Sequence, residues 1–194
     1  MTNDAWLVLG LGNPGDRYRA TRHNVGHMVV EELAQRFGGA FKRHPRATAT
    51  VAECRTRPGG PKIVLAKSTG FMNTSGGPAS QLVKYYGVPL DRLIVVHDEL
   101  DIPFDSVKLK RGGGHGGHNG LRDISSALTP DYLRVRVGIG RPPGRQDAAD
   151  YVLRPFASTE RDNLPVLVSD SADAVELIVE HGLLEAQQRV HGKS

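Results

Sequence analysis

The sequence predicts an α/β fold: a single domain spanning 1–194, with a central mixed, twisted β-sheet flanked by helices on both sides. Three observations predict it. Short apolar runs of strand length, Leu7–Leu11 and Leu93–Val96 above all, alternate with stretches whose apolar residues recur at helical spacing. These runs break abruptly into polar or glycine-rich loops, as strands do at the carboxyl edge of an α/β sheet. A chain of 194 residues, 39% hydrophobic and without repeats or low-complexity tracts, suits one substantial core.

The first strand, Leu7–Leu11, is broken by Gly10, Gly12, Asn13, Pro14 and Gly15. The loop that follows carries Asn13, Tyr18, Arg19, Arg22 and His23: an amide, an aromatic, two cations and a titratable base. It reads as half of an active site. Gly10, Gly12 and Gly15 also match the Gly-x-Gly-x-x-Gly spacing of a dinucleotide-binding loop. That fingerprint needs a helix opening at the second glycine, so that free N–H groups meet a pyrophosphate. Asn13-Pro14-Gly15 is instead a turn, and polar residues continue to His23, which argues against a nucleotide site.

After His23, Val25, Met28, Val29, Leu33 and Phe37 have helical spacing, and Gly38-Gly39 ends the run. Residues 41–55 and 62–67 alternate as strands about a Pro58-Gly59-Gly60-Pro61 turn. Lys67–Gly77 is too polar and glycine-rich for a core element, yet it holds Phe71 and Met72. A helix from Pro78 to Tyr86 stops at Gly87. The strand Leu93–Val96 ends in His97-Asp98-Glu99, titratable groups placed again at a sheet edge. Val107–Lys110 is a short strand that leads into Gly112–Gly120, where six glycines stand in nine residues. Ordering such a loop costs much chain entropy, so something other than packing should justify it. A helix over Leu121–Leu128, a strand over Leu133–Ile139 and a Pro142-Pro143-Gly144 loop follow. Leu164, Leu167, Val168, Ala172, Val175, Ile178 and Val179 mark a long amphipathic helix, and a last helix runs from Leu183 toward Val190.

The net charge of +4 conceals an asymmetry. Residues 150–186 hold eight acids and two bases, while residues 1–149 hold 21 bases and 13 acids, a net of +8. A basic body fits a polyanionic partner, and the acidic stretch reads as a solvated helix face. The single cysteine, Cys54, excludes an internal disulfide, suits a reducing compartment, and falls in a strand where a buried apolar role is expected. The Leu7–Leu11 run is too short for a signal peptide and lacks a basic leader, and no segment is apolar enough to span a membrane. The expected location is cytoplasmic.

Four polar clusters thus fall at loops: Asn13 with His23, Phe71-Met72-Asn73, Asp98, and His118-Asn119. A histidine is the natural general base near neutral pH, and a carboxylate such as Asp98 would fix its tautomer and stabilise its charged form. Amide N–H groups of Asn13 or Asn73 suit a tetrahedral oxyanion, and an aromatic beside an asparagine suits an unstacked nucleobase. Together they point to water-mediated hydrolysis of an activated carbonyl, most simply an ester. No Gly-x-Ser-x-Gly elbow is present to make a serine hydrolase. His115 and His118 with His97 and Asp98 offer metal-ligating side chains, but on a flexible loop without a helical scaffold. His97 also reads simply as a strand-end residue facing the core, and Phe71 and Met72 as core residues under a loop.

The motifs Gly-Leu-Gly-Asn-Pro-Gly, Thr-Arg-His-Asn-Val-Gly, Gly-Phe-Met-Asn-Thr-Ser-Gly, His-Asp-Glu-Leu-Asp and Gly-Gly-Gly-His-Gly-Gly-His-Asn-Gly-Leu-Arg resemble those of the bacterial-type peptidyl-tRNA hydrolases. The resemblance runs from Trp6 to the final helices. It implies a single α/β domain, usually monomeric, that frees tRNA from peptides dropped by stalled ribosomes by hydrolysing the ester between them. It further implies no metal or cofactor, no membrane and no obligate protein partner. By position it makes His23 the catalytic base, Asp98 its stabilising partner, and Asn13 the residue that helps tell blocked from free aminoacyl-tRNA. Tyr18, Phe71, Asn73 and Asn119 would contact the tRNA 3′ CCA end and the peptide's last residue, with Met72 lining the cleft. Lys108, Lys110 and Arg136 are the best-placed phosphate clamp on the acceptor stem, with Arg134 and Arg141 as weaker candidates.

Overall fold

A computed structural model describes residues 4–192; residues 1–3 and Lys193–Ser194, the ends of the expected span and of the polar tail, lie outside the described residues. Seven strands form one sheet: β1 (Trp6–Gly10), β2 (Lys42–Arg43), β3 (Ala49–Arg55), β4 (Lys62–Ser68), β5 (Leu93–Glu99), β6 (Val107–Arg111) and β7 (Leu133–Gly138). Their spatial order is β2-β3-β4-β1-β5-β7-β6. β4, β1, β5 and β7 run parallel, and the pairs β2–β3, β3–β4 and β6–β7 are antiparallel, so the sheet is mixed as expected. The helices are α1 (Val25–Phe37), α2 (Gly76–Tyr86), α3 (Asn119–Ala127), α4 (Ala148–Val152), α5 (Ser158–Arg161), α6 (Leu164–His181) and α7 (Leu183–His191).

The apolar runs become strands because both faces of the central sheet are covered. Val8, Ile63, Leu65, Ile94 and Val96 pack against the layer containing α1 and α6. Their neighbours Leu7, Leu9, Val64, Leu93 and Val95 pack into the opposite layer, under α2 and α3. Gly38 and Gly87 stop α1 and α2 in the left-handed conformation, at φ 69° and 62°. Cys54 is buried, and that burial pushes its thiol pKa up, which suits a small apolar residue.

The chain order creates the site. From β1 the chain passes through α1 and reaches β4 on one flank of β1; from β4 it passes through α2 to β5 on the other flank. A reversal of this kind leaves a crevice above the carboxyl ends of the strands. At the floor of that crevice α1 meets β1 backbone to backbone. A Cβ on Gly10 would lie 2.2 Å from the Gly26 carbonyl, and one on Gly26 would lie 2.4 Å from the Val96 carbonyl. Only glycine permits this approach, and it fixes the turn that carries His23.

Some elements differ from expectation. The span 41–55 is not one strand: Pro45 interrupts it, and His44–Thr48 forms a turn closed by His44 N–H donating to the Ala49 carbonyl at 2.9 Å. β5 continues through Asp98 to Glu99, so Asp98 sits on the strand itself. α3 begins at Asn119, two residues before the expected start, because His118 caps it, and the short helices α4 and α5 have no counterpart among the expected elements. No helix opens at Gly12; a 3-10 turn over Arg22–Asn24 precedes α1. At the sheet's far edge, α7 lies along β6: Gln187 Nε2 donates to the Leu109 carbonyl at 2.9 Å, and His191 Nε2 accepts the Leu109 N–H at 2.9 Å. Among the described residues no helix is long and apolar enough to cross a membrane.

Candidate active site

Loops after three parallel strands and the N-terminus of α3 deliver polar side chains to a cleft of about 690 Å³ above β1 and β5. Asn13, Tyr18, His23, Phe71, Met72, Asn73, Asp98 and Asn119 all line it. Residues spread over more than a hundred positions of sequence therefore meet in one place.

At its centre Asp98 accepts two histidine N–H groups. His23 Nδ1 lies 2.8 Å from Oδ2, and His118 Nε2 lies 2.8 Å from Oδ1. The tautomers follow from the partners. His118 Nδ1 accepts the backbone N–H groups of Gly120 and Leu121 at 3.1 and 3.3 Å, capping α3, so its proton sits on Nε2 and points at Asp98. Asp98, ionised, leaves His23 Nδ1 as a donor; the lone pair of His23 Nε2 remains, unbonded to anything among the described residues. Burial alone would lower the His23 pKa, but the Asp98 charge and hydrogen bond overcome it and leave it above 6.5. The Asp98 side chain is only 2% exposed, and burial would raise its pKa. The two histidines prevail and hold it well below the ordinary carboxylate range.

His23 is also held from behind. Arg22 is buried, donates to the Tyr151 carbonyl and to Glu160 at 3.1 Å each, and lies over the Tyr151 ring at 3.9 Å. Its backbone N–H bonds to the Arg154 carbonyl. This cation anchors the loop to the α4–α5 segment and does not face the cleft.

One wall of the cleft is built of amides. Asn13 donates its backbone N–H to Asn24 Oδ1 at 2.9 Å, and Asn24 Nδ2 donates back to the Asn13 carbonyl at 2.8 Å. Asn13 Oδ1 accepts the Met72 N–H at 2.7 Å. With its oxygen committed, Asn13 presents Nδ2 as its remaining donor. The same bond seats the 3-10 turn Met72–Thr74, with Met72 buried beneath and Asn73 exposed above. Phe71 is 56% exposed and meets Tyr18 edge to face at 6.3 Å. Asp123 of α3 accepts the Gly76 N–H at 2.7 Å, tying this wall to the helix that starts with Asn119. The opposing wall is apolar, made by Leu100, Ala149, Val152 and Leu153.

The basic residues divide. Lys108 and Arg136 are register partners across β6 and β7, as are Lys110 and Arg134, so the four share a face. Arg136 pairs with Glu99 through Nε at 3.1 Å and through its terminal nitrogen at 3.0 Å, and Glu99 itself lines the cleft. Lys108 and Lys110 are half-buried and none of the three clamp candidates lines the cleft. Burial and the neighbouring Arg136 and Arg134 lower the Lys110 pKa. Arg134 is fully buried and grips the carbonyls of Gly114, Gly113 and Pro130 at 2.6, 2.7 and 3.1 Å. It is a latch on the glycine loop rather than a phosphate contact. Arg141 is exposed at the cleft mouth and paired with Asp101.

Three of these facts are not legible in the sequence. The sequence marks His118 as a loop residue or metal candidate, not as the second donor to Asp98; its only signal is its place one residue before a helix. Asn24 and Arg22 are buried polar residues whose partners lie far away in sequence. His97 is buried, donates Nδ1–H to the Asp98 carbonyl at 2.8 Å, and burial lowers its pKa to about 3. His23, Asp98 and His118 are the one set among the described residues whose nitrogen and oxygen atoms gather within 4.8 Å, as metal ligands would. Each nitrogen concerned stands at hydrogen-bond distance from an Asp98 oxygen.

Comparisons with known proteins agree along the chain. The family model described as "Peptidyl-tRNA hydrolase" matches residues 7–194. A peptidyl-tRNA hydrolase of Arthrobacter sp. (strain FB24) is 61% identical over 189 residues, covering 97% of each chain. One of Kineococcus radiotolerans is also 61% identical, covering 97% of this chain and 98% of its own. The crystal structure of peptidyl-tRNA hydrolase from Acinetobacter baumannii superposes with a TM-score of 0.89 at 33% identity, over 98% of this chain and 96% of that one.

Proposed function

Since this chain belongs to the peptidyl-tRNA hydrolase family and hydrolyses the ester of peptidyl-tRNA, we propose that His23 is its general base and Asp98 the group that orients it. The observation that carries this reading is the fixed hydrogen-bond chain from His118 through Asp98 to His23, which leaves Nε2 of His23 as the free lone pair.

A water bound against Nε2 gives its proton to His23 as its oxygen bonds to the ester carbonyl carbon. The carbonyl oxygen takes up the negative charge, and Asn13 Nδ2 and the Asn73 amide are the donors that stabilise it. Collapse breaks the bond to the ribose oxygen, which takes the proton back from His23. The peptide leaves as its carboxylic acid, which gives its remaining proton to solvent, and the tRNA leaves with its ribose hydroxyl restored. Asp98 stays ionised throughout and offsets the imidazolium charge. A base so placed is worth about 10²–10⁴-fold.

Tyr18, Phe71, Met72, Asn73 and Asn119 would hold the 3′ CCA end and the adjoining residue of the peptide, with the exposed Phe71 ring and the half-buried Tyr18 ring for the bases. The apolar wall suits peptide side chains. Asn13 is our assignment for telling blocked from free aminoacyl groups. Lys108, Lys110 and Arg136 would clamp acceptor-stem phosphates, Arg136 held by Glu99. We place the enzyme in the cytoplasm, acting as a monomer.

The test is release of tRNA from N-acetyl-aminoacyl-tRNA beside the unacetylated form, in EDTA, by wild type and His23→Ala. Wild type hydrolyses the blocked substrate selectively; His23→Ala loses roughly 10²–10⁴-fold in kcat with KM little changed. Preserved turnover in the variant sinks the mechanism.

A further inference from the structure

The positive charge of the body is not spread evenly. Residues 33–90 contain nine Lys and Arg against one acid, Glu53, a net of +8, equal to the whole surplus of residues 1–149. This is the β2–β3–β4 and α2 half of the molecule, the opposite flank of the sheet from Lys108, Lys110 and Arg136.

Four of the nine are neutralised. Arg36 meets Glu32, Asp173 and Glu176, and Arg57 meets Glu180, so the acidic stretch on α6 answers those two. Lys62 pairs with Glu53 and Lys67 with Glu31. Lys42, Arg43, Arg46, Arg55 and Lys84 are exposed and have no ion-pair partner among the described residues; Arg55 donates instead to the Gly60 carbonyl at 2.9 Å.

The turn that carries Arg46 and the helix that carries Lys84 meet at an exposed ring. Tyr85 is 52% exposed, and its other side is fixed edge to face against His44 at 4.4 Å and Tyr86 at 4.8 Å. His44 is 5% exposed and also accepts the Arg46 N–H on Nδ1 at 3.0 Å. Thr48 N–H donates to Gln81 on α2 at 3.0 Å. One buried imidazole therefore sets both the turn that carries Arg46 and the ring beside Lys84. Register sets Lys42 opposite Val51, on the face covered by α2, and Arg43 opposite Thr50, on the other face. Lys42, Arg46 and Lys84 therefore share the Tyr85 side of the sheet, and none of them lines the catalytic cleft.

We propose that this β2–α2 surface is a second RNA-binding site, which takes a single-stranded segment: phosphates on Lys42, Arg46 and Lys84, and a base against Tyr85. Cations alone would suit any polyanion. A rigid, half-exposed aromatic among them adds a face that bases stack on and acidic peptides do not use. A lipid surface would need an apolar rim, whereas the chain beside Tyr85 supplies Lys84 and, through the His44 contact, Arg46. The proposal stands apart from the catalytic reading.

The test is fluorescence anisotropy of a fluorescein-labelled 12-nucleotide oligouridylate with the full chain, titrated with KCl. The RNA lacks an acceptor end, so it reports this surface and not ester hydrolysis. Binding is expected in wild type and in Lys108→Ala with Lys110→Ala. The Lys42→Ala, Arg46→Ala, Lys84→Ala triple variant should flatten the log K against log salt slope by about two units, at ~0.7 per single-strand phosphate. Tyr85→Ala should weaken binding roughly five- to a hundred-fold with the slope unchanged. Unaltered hydrolysis of N-acetyl-aminoacyl-tRNA by these surface variants verifies that they fold. Binding indifferent to the triple variant, or absent from wild type, overturns the proposal. So does a silent Tyr85→Ala together with equal affinity for polyglutamate, which would make the patch a general anion surface.

Discussion

Replacing Asp98 by asparagine should do more damage than removing the side chain altogether. Asp98 offers two acceptors, and both are taken by histidine N–H groups at 2.8 Å. Asparagine keeps one acceptor and turns the other into a donor. His118 cannot adapt, because its Nδ1 caps α3 and its proton must stay on Nε2, so the amide oxygen goes to His118. The amide N–H₂ then faces His23 Nδ1 and forces the His23 proton onto Nε2. That is the nitrogen that must take a proton from water. Asp98→Asn should therefore lose the whole contribution of the base, about 10²–10⁴-fold in kcat/KM, or roughly 3–5.5 kcal/mol in the barrier. Asp98→Ala imposes no tautomer, and water can fill the gap. It should retain at least about ten times the activity of Asp98→Asn, a gap of about 1.4 kcal/mol. The pH profile gives a second reading. In wild type the base form of His23 appears as pH rises through a pKa above 6.5, so activity climbs there. Without the carboxylate only burial remains, which lowers that pKa, and the acid limb of any residual activity should move below pH 6.5. The assay is tRNA release from N-acetyl-aminoacyl-tRNA across pH, with ¹⁵N NMR of the His23 ring to read the tautomer. An asparagine variant as active as the alanine variant, or an acid limb that stays in place, would refute the reasoning.

Two further predictions follow from the geometry. Lys108→Ala with Lys110→Ala should weaken tRNA binding and reduce its salt slope by about 0.7–0.9 for each phosphate no longer neutralised; filter binding across KCl concentrations checks this, and an unchanged slope would exclude these lysines as the clamp. Gly26→Ala would put a methyl group 2.4 Å from the Val96 carbonyl and 2.6 Å from the Leu11 amide, both backbone atoms that cannot turn aside. It should cost about 1–3 kcal/mol and lower Tm by roughly 2–12 °C in a thermal melt, and an unchanged Tm would show that α1 is not seated on β1 as described.

The sheet was readable because its information is local. Leu7–Leu11 and Leu93–Val96 are apolar on both faces, and an element buried on both sides declares itself whatever surrounds it. The sites of Gly38 and Gly87 were equally plain, since a left-handed helix end asks for glycine. His23, Asp98, Asn13 and Asn73 could be picked out only together: each has a structural explanation by itself, but four polar clusters on separate loops and strand ends do not. What stayed hidden depends on pairs far apart. Whether Arg22 faces a ligand or Tyr151 is a matter of where residues 129 positions away return, and no local pattern encodes it. Arg134 likewise alternates correctly for a surface cation on an edge-side strand; only the glycine loop folding back over it makes it a buried latch. His118 has the look of a loop residue because the bond that defines its role crosses to Asp98, on another element. Pro45, by contrast, is a visible break inside 41–55, and the strand is interrupted there although the alternation runs on.

The final helix bears on how these molecules behave toward one another. β6 is an edge strand, and its middle residue, Leu109, turns both its amide and its carbonyl away from the sheet. Gln187 and His191 meet those two groups with side chains, one donating and one accepting, as a neighbouring strand would have done with its backbone. α7 thus impersonates the eighth strand of the sheet without extending it. A chain ending before Gln187 would leave an open pairing edge beside the lysines of β6, where a second copy or an extended peptide could add on. Tags and fusions are therefore better carried at the other terminus.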